Sequence, residues 1–139
     1  MSVERMLLDT AFIQALLNSR DQYHAQARVF LPRVRAASEV WVTEAVLTEV
    51  GNAFSAFNRM AAVNFIRQCY QTVNMRVVSI GTPLLDEALS LYQARPDKAW
   101  GLTDCIFFVV MRQQGLTDAV TADNHFTQAG YRALLLEPI

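Results

Sequence analysis

Acidic side chains stand at the points in this sequence where an apolar run meets a helix-like segment. Asp9 follows MLL, Asp123 follows AVTA, and Asp104 directly precedes the apolar run CIFFVVM. An unpaired buried charge is costly, so each carboxylate must cap a helix, stay hydrated or bind a cation. Capping alone would explain each aspartate taken singly, because aspartate is favoured at helix N-termini. For the helix that contains Asp104, we expect Thr103 to be the N-cap.

Glu49 is harder to explain as a cap. In TEAVLTEVGNAF it shares a 3.6-residue spacing with Val46, Val50 and Phe54, which places it on the apolar stripe of a predicted helix. A glutamate at such a position either reaches the edge of the stripe or pairs with an arginine. The third alternative is that Glu49 points into a cleft that other carboxylates share.

Together, the three aspartates and Glu49 form a candidate acidic cluster. Four close negative charges repel one another and raise one another's pKa unless a divalent cation neutralises them. Hard oxygen ligands select Mg²⁺ or Mn²⁺ rather than zinc, and the sequence has neither a cysteine pair nor an HExxH-type histidine pair for zinc. Such a site suits hydrolysis of a phosphodiester by an activated water.

Other phosphate chemistries lack their motifs. The five glycines form neither a P-loop nor a GxGxxG dinucleotide fingerprint. An aspartyl-phosphate enzyme would need two closely spaced aspartates after the first strand, whereas LLDTAF supplies one. The net charge of −1 neither proves nor excludes a nucleic-acid partner, although eleven of the twelve basic residues are arginines. Cys69 and Cys105 lie in apolar stretches and are predicted to be buried reduced thiols.

The pattern of apolar residues predicts the elements that must position these acids. Strands are predicted at 5–8, 40–43, 76–80, 119–121 and 131–136, and helices at 10–18, 22–37, 44–58, 60–73, 83–94, 103–114 and 124–129. Alternating strands and helices indicate an α/β fold with a mainly parallel sheet covered on both faces. In such sheets, ligands bind in the crevice beyond the carboxyl ends of the strands, where Asp9 and Asp123 are predicted.

The length and the absence of long apolar runs predict the setting of this fold. With 139 residues, of which 53% are hydrophobic, residues 1–139 suit one domain. No apolar run approaches the roughly 20 residues that span a bilayer. The segment MSVERMLLDTAF lacks the features of a signal peptide, so we expect a cytoplasmic protein without a membrane partner.

Four segments resemble, in order and over nearly the whole chain, the PIN-domain ribonucleases, including the VapC-type toxins of bacterial toxin–antitoxin pairs. They are LLDTAFI, TEAVLTEVGNAF, PDKAWGLTDCIFFVVMRQQG and VTADNHFTQAGY. The resemblance implies a three-layer α/β/α sandwich and a Mg²⁺- or Mn²⁺-dependent endoribonuclease specific for single strands. Asp9, Glu49, Asp104 and Asp123 match the acidic quartet of the family. Thr10 and Thr121 match its small hydroxyl positions, which support the metal or phosphate shell.

The resemblance also implies partners. RNA is the expected substrate, and an antitoxin would cover the acidic crevice and present an arginine to it. We further expect a homodimer, formed through apolar helical surface that includes Phe54, Phe57, Met60, Phe65 and Ile66. Trp100 would either stack on an RNA base or pack onto the domain edge. The alternative to an enzyme is a non-catalytic RNA- or protein-binding module that has kept the fold.

Overall fold

A single five-stranded sheet lies at the centre of the protein, as a computed structural model of residues 2–138 describes it. Its strands are β1 (Arg5–Leu8), β2 (Glu39–Thr43), β3 (Met75–Val78), β4 (Asp118–Val120) and β5 (Arg132–Ala133). They lie in the order β3-β2-β1-β4-β5, and every neighbouring pair is parallel. The predicted mainly parallel sheet is therefore confirmed.

Seven helices flank the sheet in this part of the chain. They are α1 (Thr10–Leu17), α2 (His24–Ala36), α3 (Glu44–Phe54), α4 (Arg59–Gln71), α5 (Thr82–Ala94), α6 (Leu102–Gln114) and α7 (Asn124–Gln128). The first four contact one another through the pairs α1–α2, α1–α3 and α3–α4, whereas α6 contacts both α5 and α7. The result is the predicted three-layer α/β/α sandwich, which forms because parallel strands must be covered on both faces.

The buried apolar residues of the inner strands and of α6 belong to one core. In β1, Met6, Leu7 and Leu8 are each at most 3% exposed, so this strand is covered on both sides. Every residue from Cys105 to Met111 in α6 is buried as well, as expected for a helix that is apolar on all sides. Because these seven residues are packed all round, the first turn of α6, which contains Asp104, has a fixed position.

The predicted strand and helix bounds differ from the structure mainly at two places. The third helix ends at Phe54 rather than at 58, because the Asn58 side chain accepts a hydrogen bond from the Ala61 backbone N–H and so begins α4. The strand predicted at 131–136 is wrong beyond 133, and the chain continues as a 3-10 helix, Leu134–Leu136. Only Arg132 and Ala133 pair with the short strand β4.

Both cysteines are buried and free, as predicted. Burial raises the pKa of the Cys69 thiol to about 11 and also raises the pKa of Cys105, so both thiols are protonated at neutral pH.

Among residues 2–138, the helices are all too short or too polar to span a bilayer.

Candidate functional site

Two of the predicted acids follow the two central strands of the sheet. The strand order places β1 between β2 and β4, so the connections on its two sides run in opposite directions across the sheet. Ligands bind at this kind of switch point in parallel sheets. Asp9 comes directly after β1 and Thr121 directly after β4, and the Asp9 backbone N–H donates to the Val120 carbonyl at 3.4 Å.

Thr121 connects Asp9 to Asp123. Its hydroxyl donates to Asp9 Oδ2 at 2.7 Å and accepts from the Asp123 backbone N–H at 3.0 Å. Asp9 also caps α1 by accepting from the Thr10 backbone N–H at 2.7 Å, and Asp123 caps α7 by accepting from His125 N–H at 2.8 Å. Capping and shared-site interpretations are therefore compatible, because each cap fixes the direction of a carboxylate at the same edge of the sheet.

Asp104 reaches the same place from α6. Its Oδ2 accepts a hydrogen bond from the Gly101 backbone N–H at 3.0 Å and lies 2.9 Å from His125 Nδ1. The expected Thr103 cap is wrong, because the helix begins at Leu102 and Gly101 is the N-cap residue. Asp104 takes over the capping role from the third helical position, where its carboxylate can reach back to the backbone.

The pKa of Asp9 depends on the charges of the other two aspartates. Burial raises the pKa of Asp9 above its ordinary value, and the negative charges of Asp123 and Asp104 raise it further. Hydrogen bonds from Thr121 and Thr10 act in the opposite direction and favour the ionised form. Repulsion between these negative charges therefore costs free energy, and a bound cation would reduce that cost.

The donor set fits a hard divalent cation. Among the residues that the structure describes, neither Asp104 Oδ1 nor Asp123 Oδ2 has a hydrogen-bond partner, so each keeps free lone pairs. The buried hydroxyl of Thr10, next to Asp9, also has no partner. Carboxylate oxygens with unused lone pairs suit Mg²⁺ or Mn²⁺. Asp104 and Asp123, with His125, each offer a ligand atom within 4.8 Å of the others, and Asp9 is connected to them through Thr121, so these residues are the candidates to hold such an ion.

Glu49 is half-buried on α3, the helix that packs against α1. Val46, Val50 and Phe54 of its predicted stripe are buried. Within residues 2–138, no hydrogen bond or ion pair joins the Glu49 carboxylate to the three aspartates. Its role in the site stays a prediction, and so do the roles of Thr10 and Thr121 in a metal or phosphate shell.

The loop before α6 does not add a ligand or a stacking platform. Trp100 is 7% exposed, packs edge-on against Phe108 and donates from Nε1 to Gln128 at 3.1 Å. It therefore packs onto the domain, as one of its two predicted roles requires. Asp97 is exposed and forms a two-point ion pair with Arg95.

His125 is the site residue that the sequence did not reveal. Its Nδ1 lies 2.9 Å from Asp104 Oδ2 and 3.5 Å from Asp123 Oδ1, so the ring contacts both carboxylates. The signal in the sequence was its place two residues after Asp123, within TADNHF.

Replacing Thr121 with valine should destabilise the metal-free protein by about 2–3 kcal/mol. The substitution keeps the shape of the side chain but leaves a partly buried carboxylate oxygen of Asp9 and the Asp123 N–H without their partner, the buried Thr121 hydroxyl. Thr10→Val is the matched control: it removes a buried hydroxyl that has no partner, so it should leave stability unchanged or higher. Urea unfolding of the three proteins measures the difference, and equal stabilities for both variants would contradict it.

Comparisons with known proteins agree with this architecture. The PIN domain family model matches residues 6–130. A solved structure of Mycobacterium tuberculosis VapC20, described as a Sarcin-Ricin loop cleaving toxin, superposes with a TM-score of 0.80 at 23% identity, covering 92% of this chain and 97% of that one. FitAcB from Neisseria gonorrhoeae superposes with a TM-score of 0.65 at 15% identity, covering 93% and 98%. No curated protein matches the chain in sequence.

Proposed function

Because the chain belongs to the PIN-domain family, we propose that it is a Mg²⁺- or Mn²⁺-dependent endoribonuclease that hydrolyses phosphodiester bonds of RNA. One observation carries this proposal. At the switch point of the parallel sheet, Thr121 joins Asp9 to the Asp123 backbone, Asp104 and Asp123 lie beside His125, and the pKa of Asp9 is raised by burial and by the charges of Asp123 and Asp104. Perturbed acids in such a crevice are typical of functional sites.

In this proposal, each side chain of the site has its own role. When bound, the cation supplies an acidified water and stabilises negative charge on the phosphate. Asp9, after β1, and Asp104, at the start of α6, would be the principal ligands of the cation, while Asp123 and Glu49 would bind it directly or through water and would orient the attacking water. The hydrogen bond from Thr121 lowers the pKa of Asp9 against the effect of burial and so favours its ionised form, and the same hydroxyl holds the backbone of Asp123.

The experiment is cleavage of a panel of single-stranded and structured RNAs by the purified protein, with EDTA, Mg²⁺ or Mn²⁺, and with product ends mapped. The proposal requires cation-dependent internal cleavage, and single-stranded sites should be preferred. Binding of the same RNAs without cleavage under any cation would contradict it and would favour the non-catalytic module.

We also propose that the protein acts in the cytoplasm as the toxin of a toxin–antitoxin pair. Support comes from the resemblance of the sequence to VapC-type toxins and from the fold shared with VapC20. The antitoxin would cover the crevice and place an arginine against Asp9, Asp104 and Asp123, because a guanidinium neutralises carboxylates as a cation does. Expression of the chain alone should halt growth, and an inactive variant should not.

Self-association is expected through the turn between α3 and α4 and the first turn of α4. Phe57 and Met60 are 60% and 61% exposed there, whereas Phe54, which was expected in the same surface, is buried in the core. Pairing two copies through such side chains would remove apolar area from water. Light scattering should give a dimer mass at micromolar concentration, and Phe57→Ser with Met60→Ser should lower it. A monomer mass for the unaltered protein would contradict the prediction.

A further inference from the structure

We propose that His125 is a direct nitrogen ligand of the cation, so that this site binds Mn²⁺ and other first-row transition cations more tightly than Mg²⁺. The inference rests on the proposed function, because it concerns the cation site of the same crevice. It adds a nitrogen ligand to the four carboxylates of the acidic quartet. It also predicts a preference for Mn²⁺ over Mg²⁺, which oxygen ligands alone do not distinguish.

The spacing of the donor atoms carries the inference. Asp104, Asp123 and His125 each offer one ligand atom, and these atoms all lie within 4.8 Å of one another. His125 Nδ1 is 2.9 Å from Asp104 Oδ2 and 3.5 Å from Asp123 Oδ1. Adjacent ligands of an octahedral ion with bonds of about 2.1 Å lie roughly 3.0 Å apart, so these separations resemble neighbouring positions of one coordination sphere.

The imidazole is held in this place by its surroundings. The backbone N–H of His125 donates to Asp123 Oδ1 at 2.8 Å, and the next residue, Phe126, is fully buried against Phe107 and Phe108. The His125 side chain is 29% exposed and that of Asp104 is 17% exposed, so the ring is partly enclosed. Little conformational freedom remains to be lost when a cation binds.

A hydrogen bond from Nδ1–H to Asp104 Oδ2 is the alternative role for this ring; Asp123 Oδ1, 3.5 Å from Nδ1, accepts from the His125 backbone N–H and makes no hydrogen bond with the ring. A nitrogen atom this close to two carboxylates is also in the position of a third ligand to a cation that both carboxylates bind. Imidazole nitrogen suits Mn²⁺, Co²⁺ and Zn²⁺, whereas Mg²⁺ takes oxygen ligands almost entirely. One nitrogen among the carboxylates therefore shifts the preference of the site toward transition cations.

The experiment measures cation binding without RNA. Calorimetric titrations of Mn²⁺ and Mg²⁺ into the unaltered protein and into His125→Asn give both affinities, and pulsed electron paramagnetic resonance of the Mn²⁺-loaded protein detects a directly bonded nitrogen. We expect a nitrogen coupling in the unaltered protein and its loss in His125→Asn. The variant should lose at least about tenfold in Mn²⁺ affinity, with a much smaller loss for Mg²⁺.

His24→Asn is the matched control. The His24 ring lies 2.8 Å from the Ala15 carbonyl, and no contact joins it to Asp104 or Asp123 within residues 2–138, so this variant should keep both the coupling and both affinities. An equal loss of Mn²⁺ and Mg²⁺ affinity in His125→Asn, with no nitrogen coupling in the unaltered protein, would show that His125 only positions Asp104 through a hydrogen bond. That result overturns the ligand assignment.

The two proposals fail in distinguishable ways. Cation-dependent RNA cleavage without nitrogen coupling overturns the role of His125 and supports the proposed function. Nitrogen coupling in a protein that never cleaves RNA supports the ligand and overturns the function. If the unaltered protein binds neither Mn²⁺ nor Mg²⁺, both are overturned.

Discussion

Replacement of Asp104 with asparagine is expected to lower RNA cleavage at least about a hundredfold while the fold stays intact. Asparagine keeps an acceptor oxygen for the Gly101 N–H, so the start of α6 should survive. It removes the negative charge and one of the two carboxylate oxygens, of which Oδ1 has no protein partner among the described residues. The loss should therefore appear in cleavage and in cation binding but not in the circular dichroism spectrum.

Asp97→Asn is the matched control for that variant. The same change is made seven residues earlier in the chain, at an exposed aspartate that pairs with Arg95. An exposed ion pair contributes little to stability, and Asp97 is not part of the cluster. Cleavage by Asp97→Asn should equal that of the unaltered protein. Near-normal cleavage by Asp104→Asn would contradict the assignment of Asp104 to the site.

Phe126→Ala should lower the free energy of unfolding by about 3–5 kcal/mol. The ring is fully buried, and its centroid lies 5.4 Å from that of Phe107 and 5.3 Å from that of Phe108. Its removal leaves a cavity between α7 and α6 and also loses two aromatic contacts. Because α7 is only five residues long, Phe126 is the main anchor of Asp123 and His125.

Urea unfolding measures this effect, and Phe57→Ala provides the comparison. Phe57 is 60% exposed, so the same substitution there removes far less buried area and should cost much less. Phe126→Ala should also weaken Mn²⁺ binding, since the first turn of α7 would lose its support. Equal destabilisation by the two variants would contradict the anchoring role of Phe126.

The sequence predicted most of the fold because the local signals are strong and agree. The strand at 5–8 and the helix starting at Thr10 were placed correctly, since an apolar run ends at an aspartate that caps the helix. Apolar spacing predicts that the third helix continues to residue 58, but spacing alone does not show where a helix ends. Phe57 continues the apolar spacing, but the chain turns earlier because Asn58 caps α4, and Phe57 remains exposed.

The candidate site was predictable only in part. Asp9, Asp104 and Asp123 follow from their positions at strand and helix ends, because the topology of a parallel sheet brings those ends together. His125 could not be found from spacing alone, since its contact with Asp104 spans 21 residues and depends on how α7 packs on α6. Glu49 was predicted from helical spacing, and spacing does not fix where a flexible side chain points.

The claim that Asp9, Asp104 and Asp123 form one cation site is tested most directly by thermal unfolding in EDTA and in excess Mg²⁺, for the unaltered protein and for Asp104→Asn. A cation that binds only the folded state, at tenfold over a millimolar dissociation constant, stabilises it by about 1.4 kcal/mol, or roughly 3–6 °C for a domain of this size. We expect this increment in the unaltered protein and a sharply smaller one in Asp104→Asn. In EDTA, the variant should unfold at the same or a higher temperature, because it carries one repelling charge fewer. An undiminished increment in Asp104→Asn, together with a lower unfolding temperature in EDTA, would mean that Asp104 is only a helix cap and would contradict the shared site.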